Sequence, residues 1–442
     1  MAIDPRATAL SRFGLGARPG DLALIGADVR AALRAEIADP NAAVISALQL
    51  PDSVAALKNV RDRQQMRRAN QPVPKGERNP MLDEYGARIA RARQAQIGFA
   101  ERLAAFWANH FAIETDASGI VRGLAGPYER EAIRPHILGR FEDLLLAATQ
   151  HPAMLAYLNN ATSIGPDSKA GLRRHKGLNE NHAREIMELH TIGVDGGYDQ
   201  ADVIALAKVL TGWSFGQSEK QPKIFGRFTF RKQAHEPGPQ TVMGVSYSQP
   251  GIGQGRAALS ALAHSKATAQ HIAGKLARHF VADTPPQDLV DTLARTFDDT
   301  QGDLHAVSTA LIEADAAWAA PPQKLRTPQE FVWATVRALD LKLKPALAQR
   351  SLAALGQPLW NPPSPEGFHD DAATWLAPDA MTNRLDFAQL VSQQAQVDDP
   401  RLLAADLFGA ALSDNTRQAI ERAESPQQGT ALLLMSPEFQ RR

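Results

Sequence analysis

The stretch Leu178–Trp213, LNENHAREIMELHTIGVDGGYDQADVIALAKVLTGW, decides both the fold class and where the chain concentrates its polar chemistry. At about 100° per residue, Ala183, Ile186, Met187 and His190 share one face of a helix over residues 179–192, the expected core side. Glu180, Arg184 and Glu188 fall at i, i+4 and i+8 on the opposite face. That spacing makes an ion-pair ladder contributing about 0.2–0.5 kcal/mol per pair. GVDGG (Gly193 to Gly197) reads as a tight turn, and Asp199 with Asp202 as a capping arrangement for a second helix. Val203, Leu206, Leu210 and Trp213 then form an ordinary packing stripe. The segment predicts two packed helices.

Composition extends this to the whole chain. Across 442 residues alanine and leucine dominate and aromatics make up only 6%, which favours helix over sheet. The expected class is all-α with a small β-hairpin insertion near residues 224–247. Formal charge is zero, from 48 basic and 48 acidic residues, which argues against a nucleic-acid binder. Cysteine is absent, excluding disulfides, thiolate nucleophiles and Cys-based metal sites. The N-terminus lacks a basic region followed by an apolar core, and no run of about 18 apolar residues could span a bilayer. A cytoplasmic protein is expected.

Regions follow in order. Residues 1–60 read as an N-terminal helical segment, with short helices at Asp28 to Ala38 and Asn41 to Leu48. Residues 61–80 read as an exposed basic loop. Residues 81–215 form a helical core, in which one long helix runs from about Glu84 to Phe111. Phe99, Leu103, Phe106, Trp107 and His110 share its apolar stripe. Gly165 to Gly177 reads as a loop. In 216–255, FGRFTF and TVMGVSY alternate with period two around KQAHEPGPQ, predicting a hairpin with a long loop. Helices resume over 256–341, and 342–442 is helical around the proline-rich GQPLWNPPSPEGF (Gly356 to Phe368). The whole is expected to be one unit.

The candidate chemistry centres on His182 and Glu185, at i and i+3 beside the apolar face. A carboxylate held against that imidazole would orient it and raise its basicity. The pair reads as a general base or as half of a divalent-metal site, with a hydrogen-bonded core histidine as the alternative. HExxH is absent. His110 and His190 lie on apolar faces and read as core residues or as companions of His182. Ten of the twelve histidines fall between His110 and His279, which lets several converge. Glu188 reads as a solvated ladder residue or a catalytic acid. Asn179 is the expected N-cap of the NENHARE helix. With Arg174 in the basic run Arg173 to Lys176, it makes either an anion site at a helix N-terminus or a solvated loop. Asn179, Glu180, Asn181, Arg184 and His235 complete the candidate ligand contacts. His369, Asp370 and Asp371 form a further exposed cluster. Asp195, Asp199 and Asp202 do not match a calcium loop. No Gly-x-Ser-x-Gly elbow, Walker A loop or dinucleotide fingerprint occurs.

FWANHF (Phe106 to Phe111), HPAMLAYLNN (His151 to Asn160), LNENHAREIMELHTIGVDGGY and DVIALAKVLTGW resemble, in order, signature blocks of the bacterial domain-of-unknown-function family 1800. So do HEPG at His235, KLARHFVAD at Lys275 and LGQPLWNPPSPEGF at Leu355. Ala108 stands where the family usually has histidine, and Phe368 where it has tryptophan. The resemblance implies a mainly helical fold and no established activity. It marks His110, Asn179, Glu180, Asn181, Arg184, Glu185, Glu188 and His235 as motif positions. Three functions are carried forward. The first is a metal-dependent or general acid/base hydrolase using His182 and Glu185 with His110, Glu188 and His190. The second is a non-catalytic binding or assembly protein built on a buried polar network. The third is a haem-linked redox protein with His110 or His190 as axial ligand. A small molecule or a protein is the expected partner.

Overall fold

Proline and short polar side chains set the helix starts. Pro80, Pro152, Pro328, Pro345, Pro378, Pro400, Pro426 and Pro437 each stand in the first turn of a helix, where a missing N–H costs nothing. Asp28, Asp52, Ser118, Asp303 and Ser413 each accept the N–H three residues on. Asp199 with Asp202, and Thr327 with Glu330, form full capping boxes. The computed structural model describes residues 4–39, 41–45, 49–72, 79–174, 177–319 and 322–442, without the side chain of Arg174. Among these the chain forms 25 α-helices and four three-residue strands, so the fold is mainly α with a small β element. No helix among the described residues is long and apolar enough to cross a membrane.

Two apolar cores organise the helices. The larger runs from Ala9 to Ala317 and contains Trp107, Phe111, Phe141 and Trp213, all fully buried. The second gathers Phe331, Leu352, Phe387, Leu434 and Phe439 around Tyr85 and Ile89. The helix Pro328–Ala338 is buried nearly all round: Phe331, Val332, Trp333, Ala334 and Val336 are buried, and so are its charged Glu330 and Arg337. Such a helix has no solvent face and must run through the interior.

Several elements differ from the sequence expectation. The long helix from Glu84 to Phe111 is two helices, Pro80–Gln94 and Phe99–His110. The break is held by partners remote in sequence. Arg337 donates to the carbonyls of Ala92, Ala95 and Gln96, closing the first helix. The Glu36 carboxylate accepts the N–H groups of Gly98 and Ala100, opening the second. Gly98 takes φ +96°, and a Cβ there would lie 2.5 Å from the Leu15 side chain.

The first part of the expected loop, residues 61–68, is helix, the end of Ser53–Arg68, which buries only Ser53, Ala56 and Leu57 and so shows little apolar pattern. Residues 73–78 lie outside the described set. Lys169–Arg174 is a short helix within the expected loop 165–177. Residues 41–45 form a turn rather than a helix, and 46–48 lie outside the described residues.

The β element also pairs differently. β1 (Trp213–Phe215) runs antiparallel to β2 (Phe228–Phe230), while β3 (Gln240–Val242) pairs with β4 (Val245–Tyr247). FGRFTF therefore returns to the end of the Leu178–Trp213 segment. TVMGVSY folds on itself through Met243 and Gly244, both at positive φ, as a two-residue hairpin turn requires.

Candidate functional site

The NENHARE helix is short. Asn181–Glu185 is α-helical, and Ile186–His190 widens into a π-helical turn. Asn179 is not its N-cap. Glu180 holds that position without a side-chain bond, and Asn179 Oδ1 instead accepts the Asn181 N–H at 3.0 Å. The inward face is as the periodicity predicts: Ala183, Ile186, Met187 and His190 are buried. The outer ladder also forms, with Arg184 3.4 Å from Glu180 and 3.0 Å from Glu188. Gln200 ties it to the following helix, accepting from Arg184 and donating to Glu180, each at 2.8 Å.

His182 and Glu185 do not meet. His182 is fully buried, and neither ring nitrogen has a hydrogen-bond partner. Burial lowers its pKa to about 3. Glu185 is half-buried, and burial together with Glu188 raises its carboxyl to about 7, against the pull of Arg184. The carboxylate–imidazole pair expected from the i, i+3 spacing is therefore absent. The His182 ring is buried while Glu185 is half-exposed.

Two of the expected histidines, His110 and His190, do converge, in a packed cluster with a third. His110 Nε2–H donates to the His190 carbonyl at 3.1 Å, which leaves Nδ1 deprotonated and unpartnered. The His110 and His190 rings lie 5.9 Å apart, and Phe111 packs against both, at 4.6 and 4.9 Å. Neither His190 nitrogen is hydrogen-bonded. His271, not singled out by the sequence, closes the cluster 6.3 Å from His110, and its Nε2–H donates to the Leu189 carbonyl. Burial first, and neighbouring cations and imidazoles second, hold His110 and His190 well below the ordinary histidine range. These rings are neutral and closely packed. Among the described residues no group of three or more His, Asp or Glu side chains is arranged to hold a metal ion.

The remaining candidates lie elsewhere. His235 Nδ1–H donates to the Thr211 carbonyl at 3.0 Å. Its neighbour Glu236 is buried and accepts the Asp167 N–H, so HEPG fastens one loop to another. The Arg174 side chain, His175 and Lys176 lie outside the described residues, so the anion site expected there is not described. Asn181 is exposed.

A cavity of about 360 Å³ lies on the other side of His110. Its walls are the Phe99–His110 helix, the Lys266–Phe280 helix, the start of Pro328–Ala338 and the proline-rich loop. Asn109 of FWANHF locks that loop in place. Its amide donates to the Phe368 carbonyl at 2.9 Å and accepts the Phe368 N–H at 2.8 Å. Gly367, at φ +91°, leaves no room for a side chain, since a Cβ would lie 2.4 Å from the Asn109 carbonyl oxygen. Trp360 donates to buried Glu129 at 2.9 Å and faces the Arg88 guanidinium at 5.3 Å.

The inner wall is a matched charge network. Asp370, expected to be exposed, is half-buried and accepts His279 Nδ1–H at 2.5 Å. It also lies 3.3 Å from Lys324 and 3.5 Å from Arg442. His279 Nε2 accepts from Arg102 at 3.3 Å, so its ring is neutral with both nitrogens engaged. Burial lowers His279 to about 4, outweighing Asp370. Arg102 and Arg442 both pair with Glu330, at 3.2 and 2.8 Å. Burial disfavours that carboxylate, yet the two guanidiniums keep its pKa far below the usual range.

Lys275 stands apart from this network. It lines the cavity, and among the described residues its ammonium makes no hydrogen bond and no ion pair. Burial brings its pKa to about 8, with Glu366 opposing and Arg278 adding to the shift. Arg278 is exposed at the cavity mouth. The sequence analysis missed Lys275, Arg278, Asn109, Trp360 and His279. One signal existed: Thr268, Ile272, Lys275 and His279 fall at i, i+4, i+7 and i+11, a single inward stripe that carries a lysine.

No curated protein and no solved structure matches this chain. A family profile described as "Protein of unknown function (DUF1800)" matches residues 8–441 of the 442. The chain therefore belongs to the DUF1800 family of proteins of unknown function.

Proposed function

We infer that the cavity beside His110 binds a small anionic molecule and that Lys275 performs acid/base chemistry on it. The observation that carries this reading is the Lys275 amine, which lines the cavity beside exposed Arg278 and makes no ion pair among the described residues, whereas Arg88 of the same wall is matched by Glu129. An unpaired buried charge is costly, and an incoming anion removes that cost. A pKa near the working pH lets the same amine give and take a proton. The cavity volume falls at the small end of ligand sites.

On this reading the NENHARE segment supports the site. His190 holds His110, and the Glu180–Arg184–Glu188 ladder holds the next helix. The binding-or-assembly alternative is supported for that segment by the Glu180–Arg184–Glu188 ladder, which Gln200 ties to the next helix. The expected His182–Glu185 pair does not form, so it lends no support to a hydrolase centred on it. No nucleic-acid partner is proposed, on the balanced charge of the chain.

The test is thermal and calorimetric titration with malonate, pyruvate and inorganic phosphate. At least one should stabilise the wild type, by about 2.7 kcal/mol at a hundredfold excess over Kd. Lys275→Met should abolish the effect. No response in the wild type, or an equal response in the variant, would overturn the assignment.

A further inference from the structure

Resting on that anion-binding reading, we propose that Lys275 forms an imine with a small carbonyl compound that also bears a carboxylate, the carboxylate being met by Arg278.

Lys275 projects from the inward stripe of the Lys266–Phe280 helix into the cavity, so its approach to a ligand is set by a rigid element. Arg278 is one helical turn away, on the same side and at the mouth. The charged and titratable groups that act on Lys275 are Glu366, Arg278 and Asp370. Lys275 in turn depresses His110, His190 and His271. Of these, Asp370 is committed to His279, Lys324 and Arg442, and the three histidines are neutral. No carboxylate is in contact with the ammonium.

A lysine used only as an anion anchor would be expected to stay fully charged. Here a neighbouring guanidinium and the low-dielectric wall both destabilise the ammonium, which is how a nucleophilic lysine is made. With the pKa at about 8, roughly a quarter of the side chains are the free amine at pH 7.5. Arg278 remains charged and takes the anionic end, so anchor and nucleophile are separate residues.

The step balances without a co-reactant. The amine lone pair attacks the carbonyl carbon, forming the C–N bond as the C=O π pair moves to oxygen. That oxygen gains a proton and the nitrogen loses one, giving a carbinolamine. Loss of water breaks the C–O bond and forms C=N, with nothing oxidised or reduced. Glu366, exposed beside the amine, is positioned to exchange these protons with solvent.

The experiment uses the full-length protein with pyruvate and glyoxylate as probes, with sodium cyanoborohydride to trap any imine, followed by intact mass and peptide mapping. One reduced adduct per chain should map to Lys275 well ahead of the surface lysines. Malonate should slow its formation in the wild type, a readout that needs no variant. Arg278→Met should raise the probe concentration for half-labelling about tenfold, the loss of one charge-assisted anchor. Lys275→Arg, which keeps the positive charge, should give no adduct while still melting normally. Labelling spread evenly over surface lysines would overturn the proposal. So would a Lys275-dependent thermal shift with pyruvate and no trapped adduct, which leaves anion binding standing. No shift and no adduct would remove both readings.

Discussion

Acid should unfold this protein at a pH that most domains tolerate, because His110, His182 and His190 are buried as neutral rings. His182 titrates at about 3 in the folded chain, and the other two well below 6.5. A depressed histidine pKa means that the unfolded chain binds the proton first. The stability is complete above about pH 6.5 and is lost as pH falls toward the folded values. At pH 5 the His182 ring alone costs about 2 kcal/mol, and His110 and His190 add to the loss in the same direction. A typical domain is stable by only about 5–15 kcal/mol. His271 and His279, each lowered to about 4, act in the same direction. Glu185 and Glu84, whose pKa values are raised, oppose the loss, Glu185 only in part because water reaches it. Urea unfolding from pH 7.5 to pH 5 measures the slope directly. His182→Leu should reduce the loss over that range by about 2 kcal/mol, whatever its effect at neutral pH. An unchanged slope in that variant would mean that His182 is charged or solvated in the folded chain, and would refute the reasoning.

Other perturbations follow from the same structure. Asn109→Ala removes both bonds to Phe368 and should cost about 2 kcal/mol, with faster proteolysis of the proline-rich loop and loss of malonate stabilisation. Arg337→Ala leaves the ends of the Pro80–Gln94 helix and Asp21 without their buried cation. A loss of about 3–5 kcal/mol is expected in denaturant titrations, with little rescue by lysine, which lacks the planar fork.

What the sequence made legible was local. The Val203–Leu210 packing face, the Phe99–His110 stripe, the Asp199–Asp202 cap and the Arg184 ladder all rest on spacing within one or two turns, and all form. What was hidden depends on remote partners. The Ala95–Gly98 break needs Arg337 and Glu36, and the β pairing needs Phe228 to meet Phe215. The His182–Glu185 pair failed because helical spacing fixes which residues are neighbours, not whether their side chains share an environment. Lys275 was hidden for a different reason. A single lysine on an apolar stripe gains meaning only when the loop at Trp360 and Phe368 is seen to form a cavity beside it.

The central claim is that Lys275 is an unpaired, partly neutral amine facing a ligand. Pulsed acetylation with mass spectrometric readout of every lysine, as a function of pH and with or without malonate, tests it most directly. Lys275 should titrate near 8 and react ahead of the surface lysines at neutral pH, and malonate should protect Lys275 alone. If Lys275 titrates with the surface lysines and malonate leaves its rate unchanged, the account is wrong.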